Sequence, residues 1–111
     1  MTSMVEPRTA AQRMVTDSQI KTLENFKVAL RAISRRDNEG FRWAISHGVD
    51  LLNLTHQDIA EAFSISRPSV TRWINGQNSP HPAIRPMIYE WLAAKSEEKA
   101  KQEHLLLEVA A

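Results

Sequence analysis

A chain of 111 residues, 42% of them hydrophobic and 24% charged, has material for one domain with a small core. It contains no cysteine, which excludes a disulfide framework and a thiolate metal site. No apolar run approaches membrane length and nothing resembles a signal peptide, so a cytoplasmic location is expected, with no membrane partner. The formal net charge is only +1, yet residues 1–47 balance at +3 and residues 48–111 at −2. Attraction for a polyanion should be moderate and carried by the N-terminal half.

Glycine is scarce and apolar residues recur at intervals of three and four, so the expected fold is all-α, about five helices in a compact bundle. Residues 1–17 lack a clear apolar face and read as a flexible arm, in which Arg8 and Arg13 are the cations. From Ser18 to Arg35 the stripe Ile20, Leu23, Phe26, Leu30 and Ile33 predicts a core-facing helix. Lys27, Arg31 and Arg35 form a second stripe, open both to a solvated and to a phosphate-facing reading. A shorter helix is expected from Glu39 or Phe41 to His47, ending before Gly48, with Phe41, Ala44 and Ile45 apolar and Trp43 at its edge. Val49 to Leu54 then leads into the most informative segment.

Thr55 to Pro80 describes two short helices and a tight turn. Thr55 is an N-cap residue, and Asp58 puts a carboxylate in the first turn, where the helix dipole favours it. Ile59, Ala60 and Phe63 share one face, with Ala60 small enough to let a second helix cross closely. Ser64, Ile65 and Ser66 make the turn; Ser66 caps the next helix and Pro68 falls in its first turn, where no backbone bond is lost. Val70, Trp73 and Ile74 cluster within roughly 100° of arc and are the buried side, Trp73 as a core wedge. Pro68, Thr71, Arg72 and Asn75 point away, with Ser69 at the flank and Arg67 at the tip. Asn75-Gly76 is a stop signal, and the polar loop Gln77-Asn78-Ser79 offers backbone N–H groups to a phosphate.

This segment resembles the Cro/phage-repressor-like (XRE-type) helix-turn-helix family. Thr55, Ala60, Ile65, Ser66, Val70, Arg72, Trp73, Gly76 and Pro80 sit at the family's spacings, with Ile59 in place of its Leu. The resemblance implies a lambda-repressor-like fold, with residues 18–94 as the DNA-binding domain and 55–76 as the motif. It implies His56 or Gln57 near a phosphate, and Arg67, Pro68, Ser69, Thr71 and Arg72 towards the bases, beside the capping Ser66. Ser64 stands where the family has Gly, a strained choice if its φ is positive, and Ile74-Asn75 replaces Glu-Asn. The resemblance also points to bacteria, their phages or plasmids.

After the motif, Ser79-Pro80-His81-Pro82 is a stiff connector. Ile84, Met87, Ile88, Trp91 and Leu92 then predict a helix that closes the core. Residues 95–111 read as a charged helical tail, with Glu97 and Lys101 at pairing distance and the apolar cluster Leu105 to Val109 without a core to join. His47, His81 and His104 show no metal-ligand spacing, no cofactor motif is present, and no nucleophile–base or phosphate-loop pattern supports an enzyme. The expected function is a sequence-specific transcriptional regulator, a homodimeric repressor on an inverted-repeat operator in double-stranded DNA. The competing expectation is an antitoxin-type protein that binds operator DNA and a toxin through its tail or arm; contact with polymerase is a further possible partner role.

Overall fold

Capping residues set the limits of nearly every element. In the computed structural model, which describes residues 9–109, five helices follow in order. They are α1 (Ala10–Ala32), α2 (Asn38–Leu52), α3 (His56–Phe63), α4 (Arg67–Asn75) and α5 (Arg85–Val109), with a 3-10 turn at Pro82–Ile84 before the last. The expected all-helical fold is therefore found. No helix among the described residues is long and apolar enough to cross a membrane.

α1 starts well before the expected Ser18. Thr9 caps it by accepting from Gln12 N–H, while the Gln12 side chain accepts from Thr9 N–H. Residues 10–17 are thus helix rather than arm; the first eight residues, Arg8 included, lie outside the described ones. The missing signal is an apolar stripe: Met14 and Val15 stay exposed, and only Thr16 is buried on the first turns.

α2 overruns the stop expected at Gly48. A Cβ on Gly48 would come within 2.8 Å of Leu92 Cδ2, so this glycine serves the close approach of α5 instead of ending a helix. Termination waits for Asn53, whose φ is +54°. α3 and α4 end the same way, at Ser64 (φ +53°) and Gly76 (φ +75°). At each of the three, the next N–H reaches back five residues: Leu54 to Val49 O, Ile65 to Ala60 O and Gln77 to Arg72 O.

α1 and α5 form an antiparallel pair. Arg85 at the start of α5 bonds Arg35 O just past α1, and Lys27 meets Glu97 midway at 3.8 Å. By the same register, Met14 and Val15 lie level with the end of α5, where Leu105 and Leu106 are exposed too. α5 is one continuous helix, so the boundary expected at residue 95 falls inside it, and Glu97 pairs with Lys27 rather than with Lys101. The pair outruns the shorter helices and gives the molecule its 52 × 30 × 19 Å extents.

Phe41 sits at the centre of the core, fully buried. Trp73 of α4 packs edge-on to it at 5.8 Å, Tyr89 of α5 lies at 6.1 Å, and the Arg85 guanidinium stands 5.4 Å over its ring. The expected stripe on α5 was displaced: Ile84 and Met87 are largely exposed, whereas Arg85, Ile88, Tyr89, Leu92, Ser96 and Ala100 face inward. α3 reaches α5 through Phe63 and Trp91, whose rings meet at 5.4 Å.

Ser64 carries a side chain in the left-handed region, where a Cβ crowds the carbonyl. Ser64→Gly should raise unfolding free energy by about 0.5–1 kcal/mol, strain relief outweighing the added freedom of the unfolded chain. Urea denaturation checks this, and a loss of stability would mean that the serine side chain is held by something stronger than its conformational cost.

Candidate nucleic-acid interface

α3 and α4 are set against one another by two caps. Thr55 Oγ1 accepts from Asp58 N–H at 2.9 Å while Asp58 Oδ2 accepts from Thr55 N–H at 2.8 Å. Ser66 Oγ accepts from Ser69 N–H at 3.2 Å. Between the caps, Ala60 is buried at the crossing and Ile65 packs on the core from the turn. α4 is held from behind by Val70, fully buried, and Trp73.

The opposite side of α4 is open. Arg67, Pro68, Arg72 and Asn75 are exposed, as is Gln77 in the following loop, and Ser69 and Thr71 are half-buried. Among the described residues the ion pairs are Asp17–Lys21, Lys27–Glu97 and Lys95–Glu98, so Arg67 and Arg72 keep their charge uncompensated.

Several hydroxyls are committed inside the protein. Thr71 Oγ1 donates to Arg67 O at 3.2 Å and also lies 2.8 Å from His56 Nδ1. Which group donates in that second bond depends on the imidazole tautomer; where the hydroxyl donates to Nδ1, Nε2 carries the ring proton and can donate to an outside acceptor. Thr71 then offers an outside surface its methyl group. Ser66 and Ser69 share a 2.8 Å hydrogen bond. Gln57 leans on Glu61 at 3.3 Å. The backbone N–H of Gln77, expected to be free for a phosphate, is taken by Arg72 O at 2.9 Å.

His56, Gln57 and Arg67 do come together: with Thr55 they line an open cleft of about 410 Å³ where the two helix starts meet. Sequence reasoning missed Arg42. Its side chain on α2 is exposed and lies against Gly76, where a Cβ would meet the guanidinium carbon at 2.9 Å. Gly76 therefore serves both its own left-handed turn and a cation at the far end of α4. Only the fold brings residues 42 and 76 together. Lys27, Arg31 and Arg35 line a groove between α1 and α5 instead. His47 stacks on Trp43 at 4.4 Å, and His81 accepts from Ala83 N–H.

The arrangement presents a short helix edge with cations at both ends and outward donors at Arg67, Arg72 and Asn75. No protein-family model, no curated protein and no solved structure matches this chain.

The backbone N–H of Thr55, followed by its hydroxyl, holds the Asp58 carboxyl below its ordinary value of 3.8. A depressed carboxyl stabilises the fold above its unfolded value, and that contribution disappears as pH falls through the folded value. Asp58→Asn should therefore lower stability at pH 6, with the difference from the parent vanishing in the acid range below 3.8. Urea titrations across pH 2–6, spanning the carboxylate range, check it; a pH-independent difference would mean the charge plays no part in the cap.

Proposed function

We propose that α3, the turn at Ser64 to Ser66 and α4 form a helix-turn-helix, and that the protein is a sequence-specific DNA-binding transcriptional regulator. The observation that carries this reading is the uncovered edge of α4, with Arg67 and Arg72 unpaired while Val70 and Trp73 hold its back. A helix of nine residues is roughly 13 Å long, which suits a major groove about 12 Å wide. Arg67 and Arg72 would fork onto guanine edges, the Thr71 methyl would meet a thymine methyl, and His56 Nε2 and Arg42 would flank the backbone phosphates.

A single such helix reads few base pairs, so the proposal includes a homodimer on an inverted repeat, its recognition helices about 34 Å apart. Occupying a promoter in this way excludes polymerase and makes the protein a repressor. The competing reading, an operator-binding antitoxin, is favoured by one observation: Met14, Val15, Leu105 and Leu106 are exposed at one end of the α1–α5 pair. A second polypeptide that co-purifies in fixed ratio, and is released by Leu105→Glu with Leu106→Glu, would favour it; a clean homodimer would count against it.

Fluorescence anisotropy with duplexes from the gene's own upstream region tests the main reading. Arg67→Ala with Arg72→Ala should weaken binding at least tenfold, since each base contact contributes about 1–3 kcal/mol, and should leave the melting temperature unchanged. Arg42→Ala should weaken all duplexes alike and flatten the salt dependence, as a phosphate contact does. Equal binding by the double variant and its parent would dismiss the proposal.

A further inference from the structure

The groove between α1 and α5 is open to solvent and has a volume of about 440 Å³, within the range of small-molecule sites. Its floor is apolar, built on Leu30, Ile33, Pro86 and Ala93. Lys27 and Arg31 stand one turn apart on α1, and Arg35 joins them from the turn just past its end. Lys27 is matched by Glu97 at 3.8 Å, which leaves Arg31 and Arg35 against Glu90 alone, a local excess of one positive charge.

Two further features at the Arg35 end add to this. Tyr89 lines the cavity, is 8% exposed, and has a buried hydroxyl with no hydrogen-bond partner. Buried hydroxyls are normally satisfied, so an unpaired donor beside cations is an unusual expense. Next to it Arg85, 2% exposed, bonds only uncharged oxygens of Pro80, Arg35 and Asn38, so its charge also acts on this end of the groove. Burial pushes the Tyr89 phenol upward, keeping it neutral; Arg85 offsets part of that rise and the Asp37 carboxylate adds to it.

We propose that this groove binds a small organic anion, a carboxylate with an apolar tail. The head group lies between Arg31 and Arg35, and the tail lies on Leu30 and Ala93. A bare inorganic anion would leave the apolar floor uncovered, and a neutral hydrocarbon would leave the cations unused. The site is independent of the DNA reading, because it uses the α1–α5 groove and no residue of α4.

Isothermal titration of the full chain with octanoate, without DNA, tests the site. Octanoate should bind saturably at one per chain, and acetate and octan-1-ol should each bind at least about tenfold more weakly, having lost the tail or the charge. Arg31→Glu with Arg35→Glu changes only exposed side chains; it should keep the helical content and lower octanoate affinity by at least about tenfold. Amide shifts on titration should centre on residues 27–35 and 86–97. Absence of saturable binding, an undiminished affinity in the double variant, or shifts centred on Trp43 and Leu51, which line a separate apolar groove between α1 and α2, would each overturn the proposal.

Discussion

One buried cation joins four separate pieces of this chain. Arg85 reaches Pro80 O at 3.1 Å, Arg35 O at 3.0 Å and Asn38 Oδ1 at 2.7 Å, and lies over the Phe41 ring. It thereby fastens the loop after α4 to the corner between α1 and α2 and to the first turn of α5. Taking a guanidinium out of water costs several kcal/mol unless its donors are met. Here each of its three nitrogens finds an oxygen and the ring face receives the rest of the charge.

The position of α4 follows from that anchorage. Trp73 leans edge-on against Phe41, and the loop that leaves α4 is held at Pro80, so both the back and the exit of the helix are fixed to the same few residues. Its entrance is fixed separately, by the Ser66 cap and by the bond from His56 to Thr71. A short helix of nine residues would not persist alone in water. Its order is a property of the packing behind it and of these two contacts, which frees the Arg67 and Arg72 side chains from structural duty.

Much of this was legible in the residues. The limits of α3 and α4 could be read because caps are local: Thr55, Ser66 and Gly76 act on backbone groups within a few positions. The left-handed turn at Ser64 was visible as a possible strain and is found there. What failed depended on distant partners. Gly48 looks like a stop until Leu92 is placed against it, and Thr9 with Gln12 marks a helix start that no apolar stripe announces. An arginine beside a proline gives no hint of burial; only the corner that receives Arg85 explains it. At the candidate site, exposure of Arg67 and Arg72 followed from helical periodicity. The commitment of the Thr71, Ser66 and Ser69 hydroxyls, and the arrival of Arg42, needed three dimensions.

The long α1–α5 pair has a practical consequence for anyone weighing this protein in solution. Its radius of gyration is 16.4 Å, against about 13 Å for a rounded domain of similar length. A single chain will therefore travel through a sizing column ahead of its true mass and tumble more slowly about its short axes than about its long one. An early-eluting peak by itself mimics a pair of chains, so stoichiometry belongs to sedimentation equilibrium or light scattering, where frictional shape drops out.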